Sequence, residues 1–232
     1  KVMALSSYCK NKKNKFYYLI KKLVKLNKTD GTFLLNINFF KETVHEYGKL
    51  YSNEFIKLFG LPRKNNEKID RRHKEIAGAM QIVSEEIVAN MLNWLQKKTK
   101  SNNLCVSGGF FMNSVFNGKI TKLTKFKNVF ISSCPDDSGL SIGSALYVYN
   151  HILNKKKRFP QKHNYYGPSF SKNEIKKTLE DYKIDYVYSK NNLSKITAKE
   201  ISKGKIIGWF QGKMEFGQRA LGNRSILGDP RV

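Results

Sequence analysis

Leu104-Cys105-Val106-Ser107-Gly108-Gly109-Phe110-Phe111-Met112-Asn113 is the stretch on which the fold turns. A short apolar run ends in two glycines, and a helical pattern through Phe111, Val115 and Ile120 follows. Upstream, residues 66–98 predict a long helix, because Ile76, Met80, Val83, Ile87 and Met91 recur at three- and four-residue steps. Downstream, Val129-Phe130-Ile131 predicts a second strand, broken at Cys134-Pro135-Asp136-Asp137-Ser138-Gly139. A second apolar helix is expected from Leu140 to about Leu153. Helix, strand, glycine turn, helix, strand, acidic turn, helix is an α/β pattern.

The charged, proline-containing stretch at residues 154–163 has no periodicity and predicts a domain linker. After it, Ser171-x-x-Glu174 is a capping box that opens a helix to about Tyr182. Ile184–Tyr188 reads as a strand, Leu193–Lys203 as a helix stopped by Gly204, and Lys205–Phe210 as a strand.

Three places carry chemistry. At Gly108-Gly109, backbone can approach a ligand closely, and a helix N-terminus beyond offers N–H groups to an anion. Asn113, one helical turn in, could hydrogen-bond a ribose or phosphate; a plain strand-to-helix turn explains the glycines as well. At Pro135-Asp136-Asp137-Ser138-Gly139, with Gly143 one turn into the helix, a carboxylate at a strand end followed by glycine and a helix could hold a metal or a metal–phosphate complex. The competing role there is an N-cap by Asp137 or Ser138. The third place is residues 211–225, where Arg219, Arg224 and Ser225 suit a fold around phosphate oxygens, with backbone N–H groups filling in. The buried-type residues Trp209, Phe210, Leu221, Ile226 and Leu227 argue there against a surface loop. His45, His73, His151 and His163 lie far apart, without ligand spacing, and each reads as a helix or loop residue.

The chain has 232 residues, 40% hydrophobic and 12% aromatic, which excludes a disordered tail. No apolar run approaches the ~18–20 residues of a membrane span. Three cysteines with no CxxC pair exclude a disulfide scaffold and a cysteine zinc site, and a reducing cytoplasm is expected. The net charge of +25 comes from 43 Lys and Arg against 18 Asp and Glu. Only seven of the cations are Arg, so the excess is scattered lysine, and no nucleic-acid partner is expected. The densest basic run, Lys10–Lys28, carries Phe16, Leu19, Ile20, Leu23 and Leu26 at helical spacing and reads as a solvated helix face. Three of the seven Arg fall in the last fourteen residues. Lys1 and the Gly/Arg-dense end suggest an internal piece of a longer chain.

With these motifs in this order, the chain resembles the NodU/CmcH-type O-carbamoyltransferases. The resemblance is carried by KVMAL (1–5), LCVSGGFFMNSVFNGKI (104–120), CPDDSGLSIGSAL (134–146) and GKIIGWFQGKMEFGQRALGNRSILGDPR (204–231), with weaker matches at GLPR (60–63) and EIAGAMQ (75–81). The last motif is long and specific. The glycine and acidic turns are shared more widely, with ASKHA and threonylcarbamoyl-transferase proteins.

The resemblance implies an α/β fold: a partial ASKHA (actin-like ATPase/ribonuclease H-like) domain followed by the start of a YrdC-like α/β domain. Residues 1–153 would be the C-terminal part of the first, 154–163 the linker, and 164–232 the N-terminal part of the second. It implies that Gly108, Gly109 and Asn113 line an adenylate site beside Gly139 and Gly143. Asp137 would be catalytic as ligand of a divalent metal, with iron expected. Arg219, Arg224 and Ser225 would hold phosphates. ATP would be the co-substrate, and carbamoyl phosphate and a hydroxyl-bearing small molecule or saccharide the other partners. No membrane partner is implied, and a homodimer is left open. The family's H-x-x-x-H metal pair is not in this sequence, and Phe110-Phe111 stands where many relatives are smaller. Transfer by this piece alone is therefore not expected. Two alternatives stay open: another ASKHA-type protein, such as a sugar kinase or threonylcarbamoyl-type protein, and a basic polyanion-binding module. The Arg/Gly tail argues against a kinase, and a steep salt dependence would mark the binding module.

Overall fold

The computed structural model describes residues 2–41 and 50–231. His45 lies outside the described residues. The chain divides into two compact units, residues 1–106 with 110–131, and residues 107–109 with 132–232.

The first unit is built on apolar side chains. It opens with helix α1 (Val2–Ser6) and helix α2 (Lys15–Leu23), which Asn14 caps by accepting the Phe16 N–H at 2.8 Å. Phe16, Ile20 and Leu23 are buried at helical spacing. The helix ends sooner than the lysine-rich pattern predicts: Val24 turns extended and Leu26 belongs to strand β1 (Val24–Leu26). Strand β2 (Phe33–Leu35) pairs antiparallel with it across a turn where Asn27 N–H bonds the Thr32 carbonyl. A β-branched valine next to a hairpin partner favours the ladder over another helical turn.

Helix α3 (Asn53–Phe59) leads to the long helix α4 (Arg71–Thr99). It starts later than residue 66, because Asp70 accepts the His73 N–H at 3.0 Å and His73 closes a capping box. The apolar stripe locates this helix and part of its inward face: Val83 is buried, and Ile76 and Ile87 pack against the same cluster. Met80 and Met91 are exposed, whereas Ala79, Val83 and the polar pair Gln81 and Glu85 are buried. The reason is that α4 serves two apolar clusters in turn. Ala79 and Val83 pack with Phe16, Ile20 and Phe59; Leu92 packs with Leu104, Phe116 and Ile120.

Strand β3 (Asn103–Val106) pairs parallel with β4 (Asn128–Ile131), Leu104 opposite Val129 and Val106 opposite Ile131. The crossover is helical in pieces rather than one helix, with α5 (Ser114–Asn117) and α6 (Ile120–Leu123). Gly118 at the end of α5 separates them, and Phe116 and Ile120, one from each, are fully buried.

The second unit is held differently. Helix α7 (Leu140–Tyr147) runs on into one π-helical turn, Val148–Ile152, and residues 154–163 have no regular structure. Helix α8 (Lys172–Asp181) carries the expected box: Ser171 Oγ accepts the Glu174 N–H, and Glu174 accepts the Ser171 N–H at 2.7 Å. Ile184–Tyr188 is not a strand. It has no ladder partner among the described residues, and alternation alone does not make a strand without one. Helix α9 (Leu193–Ser202) stops before Gly204, whose φ is +84°. Strands β5 (Ile207–Phe210) and β6 (Arg224–Leu227) pair antiparallel, Phe210 opposite Arg224. Phe210, Leu221 and Ile226 are exposed, against the expectation that their apolar character would bury them. A two-stranded sheet offers too little surface of its own to hide them.

Candidate functional site

Within the second unit, the glycine turn, the acidic turn and the arginine tail meet at Cys134-Pro135-Asp136. Gly108 N–H donates to the Pro135 carbonyl at 2.6 Å, and Ser107 Oγ donates to the same oxygen at 3.2 Å. Gly108 has φ +106° and open space where a Cβ would stand, so its conformation is what requires glycine. From the other side, the Cys134 thiol donates to the Phe216 carbonyl at 3.5 Å, and Gln218 Nε2 donates to Asp136 Oδ2. Gly217 has φ +102°, and any Cβ there would strike Cys134 Sγ. Residues 164–168 clip the tail in place: Phe216 N–H bonds the Asn164 carbonyl at 2.7 Å, Gly167 N–H the Met214 carbonyl at 2.9 Å, and Met214 N–H the Pro168 carbonyl at 3.0 Å.

The candidate residues take distinct places around this meeting point. Asp136, not Asp137, ties the acidic turn, accepting Ser138 Oγ at 2.7 Å. Asp137 opens the short 3-10 turn Asp137–Gly139, and its exposed carboxylate takes no part in that bonding. No side-chain cap precedes α7, so neither Asp137 nor Ser138 acts as its N-cap. Gly139 packs against the Cys134 carbonyl, whereas Gly109 and Gly143 have open space on their Cα. Arg219 is exposed. Arg224 donates from Nη2 to the Gly217 carbonyl at 2.9 Å, and Ser225 Oγ accepts the Gly222 N–H.

Asn113 belongs to the first unit, and it is not one turn into a helix. It is the N-cap of α5, accepting the Phe116 N–H at 3.2 Å. Its amide also pairs both ways with Gln81, at 2.9 and 3.2 Å. Gln81 in turn donates to the buried Glu85, whose carboxylate takes Lys119 Nζ at 2.8 and 2.9 Å. The glycine turn therefore leads into a 3-10 turn and a four-residue helix, not the open helix N-terminus that the sequence suggests.

The most deeply buried carboxylate among the described residues of the second unit is Glu215, 3% exposed. Its Oε1 accepts the N–H groups of Leu221 (2.7 Å), Asn223 (2.8 Å) and Arg224 (3.3 Å). Burial alone would raise its pKa. The N–H groups of Asn223, Leu221 and Arg224 outweigh that and hold it down, at about 2. These three N–H groups, expected to help wrap a phosphate, are thus already taken by an internal anion.

Sequence reasoning passed over Gln81, Glu85, Lys119, Cys134, Asp136, Glu215 and Gln218. Glu215 had a signal, being the one acid in residues 211–228. So did Gln81 and Glu85, a polar pair four residues apart and hence on one face of a helix. Among the described residues, no group of three or more His, Cys, Asp or Glu could hold a metal. His73 caps α4, and His151 and His163 stack on tyrosines. Among the described residues, no helix is long and apolar enough to cross a membrane.

The family model for the carbamoyltransferase N-terminus matches residues 1–146. The chain belongs to the carbamoyltransferase family. The model for the carbamoyltransferase C-terminus matches residues 198–232, so the two models take in all three motifs. An uncharacterized protein of Synechocystis sp. is 38% identical over 213 residues, 88% of this chain and 34% of its own length. Nodulation protein NolO of Bradyrhizobium diazoefficiens is 32% identical over 173 residues, 73% of this chain and 31% of its own. The 3'-hydroxymethylcephem-O-carbamoyltransferase of Streptomyces clavuligerus is 27% identical over 128 residues, 54% of this chain and 23% of its own. These are relatives of the NodU/CmcH type, as the motifs predict. The chain spans about a third or less of the length of these curated relatives.

Proposed function

We propose that this carbamoyltransferase-family chain is part of an O-carbamoyltransferase. The carbamoyl group would pass from carbamoyl phosphate, through carbamoyl-adenylate made with ATP, to a hydroxyl of a sugar or secondary-metabolite acceptor. The observation that carries the reading is the meeting of the glycine turn, acidic turn and arginine tail at Cys134-Pro135-Asp136 in a chain of this family.

The chemistry needs a better leaving group than phosphate for attack by a neutral hydroxyl. Loss of phosphate to water leaves carbamate, whose oxygen attacks the α-phosphorus of ATP as pyrophosphate departs. The acceptor oxygen then bonds the carbamoyl carbon, the bond to AMP breaks, and the hydroxyl proton is released. In this reading Arg219, Arg224 and Ser225 hold phosphoryl oxygens, with guanidinium forks matched to them. Gly108 and Gly109 let the adenylate approach backbone, with Gly139 and Gly143 keeping α7 clear of it; Asn113, engaged with Gln81 and the Phe116 N–H, is left out of this reading. Asp137 offers one exposed carboxylate to a divalent metal, iron being our proposal. The described residues do not complete a metal site, so no step is routed through it. A partial ASKHA domain over 1–153, a YrdC-like part over 164–232, and a cytoplasmic setting belong to the same proposal.

The test uses the full-length protein. Arg224→Ala is expected to lower carbamoyl-phosphate-dependent ATP–pyrophosphate exchange by about 10–100-fold, the scale of one charge-assisted phosphate contact. Asp137→Ala should abolish transfer and leave that exchange intact. Undiminished exchange in Arg224→Ala would overturn the phosphate role, and transfer surviving in Asp137→Ala would remove Asp137 from the reaction.

A further inference from the structure

Glu215 is a buried carboxylate in a stretch otherwise made of glycines, cations and neutral groups, and it does not face solvent. One oxygen gathers three backbone N–H groups from residues 221–224; the other, Oε2, is buried with no hydrogen-bond partner. An orphaned buried oxygen is costly, and a neutral side chain could fill the same space without that cost. What the carboxylate supplies is shape. The loop turns at Gly217 (φ +102°) and Gly222 (φ +103°), and between them the chain folds inward on the one anion.

The remaining bonds fix the loop's outer surface. Asn223 Nδ2 donates to the Lys213 carbonyl at 2.7 Å, Gln211 Nε2 to the Gly222 carbonyl at 3.0 Å, and Arg224 Nη2 to the Gly217 carbonyl at 2.9 Å. The Arg224 backbone N–H is held by Glu215, while its guanidinium is exposed and anchored by that bond to Gly217. A guanidinium has five N–H donors, so one anchoring bond orients it and leaves donors for a ligand.

We propose that Glu215 is a positioning residue that preforms the arginine loop as a phosphoryl receptor by holding its backbone from within. The proposal rests on the reading that this loop meets phosphate. Glu215 touches no substrate; it sets the fraction of molecules in which the loop is already shaped. A receptor shaped only part of the time binds more weakly by that fraction, without a change in the chemistry that follows.

The experiment compares Glu215→Gln with Arg224→Ala in the full-length protein, by carbamoyl-phosphate-dependent ATP–pyrophosphate exchange. Glu215→Gln keeps the size of the side chain and removes its charge. It is expected to raise the KM for ATP or for carbamoyl phosphate by about tenfold or more with kcat nearly unchanged. A role in folding alone would lower kcat with the loss of folded enzyme and leave KM where it was, which would overturn the proposal. Impaired Arg224→Ala beside a wild-type Glu215→Gln would overturn it while sparing the phosphate reading; unimpaired Arg224→Ala would sink both. Should Glu215→Gln not fold, hydrogen exchange on the wild-type protein without ligand decides. Slow exchange at Leu221, Asn223 and Arg224 is expected, and open-loop rates at these amides would overturn the proposal.

Discussion

Glu85 in the first unit and Glu215 in the second are almost equally buried, 5% and 3% exposed, and their company is opposite. Glu85 sits on a long helix, paired with the Lys119 ammonium and the Gln81 amide. Glu215 sits in a glycine-rich loop and is answered by backbone N–H groups. The surroundings differ in the same way. Two clusters of buried apolar side chains hold the first unit, whereas among the described residues of the second only Cys134, Pro135 and Glu215 are buried. A charge set against a packed core fixes which elements lie together. A charge set inside a loop fixes the path of the chain, and with it the direction of Arg224.

Three measurements would break or sharpen this contrast. The largest effect is expected from Phe116→Ala, since Phe116 is fully buried among Leu104, Ile120 and Phe126. It should lower the stability of the first unit by about 3–5 kcal/mol in denaturant unfolding. A loss below about 1 kcal/mol would mean that this cluster is not what holds the unit. Next comes Glu85→Ala, which leaves Lys119 without its partner. Lys119 is partly exposed and can regain water, so a cost of about 2 kcal/mol is expected, less than for a fully buried pair. The same substitution should weaken the Gln81–Asn113 pair, read as faster exchange of the Phe116 amide that Asn113 caps.

The most local of the three effects is expected from acid. Glu215 has its folded-state pKa lowered to about 2, so its contribution is complete above the usual carboxylate value and is lost as pH falls toward about 2. The Leu221 and Asn223 amide resonances should therefore shift with a midpoint near 2. A midpoint near 4.5 would show that the N–H groups do not favour the charged form in solution.

Much of the local structure was legible because local interactions decide it. Ser171 and Glu174 form their box, Gly204 ends a helix, and the apolar runs at 104–106 and 129–131 become paired strands. Ile184–Tyr188 failed because a strand exists only with a partner, and alternation does not supply one. Leu26 failed because helical spacing persisted past the residue where the chain found a hairpin partner. The candidate site divided along the same line. Residue types marked the glycine turn, acidic turn and arginine tail; nothing in their spacing indicated that Asp136 and Gln218, or Cys134 and Gly217, would touch.

The amino-acid sequence by itself determined the family, the places of α4, α7, α8 and α9 and of β3, β4 and β5, and the three motifs with chemistry in them. Capping, periodicity and glycine conformations act over a few residues, and family motifs are written in residue order. Only the tertiary structure decided that the three motifs meet at Cys134-Pro135-Asp136, that Asp136 is engaged while Asp137 stays exposed, and that Glu215 lies inside the arginine loop. Contacts across eighty residues depend on how the whole chain closes, and no local rule carries that information.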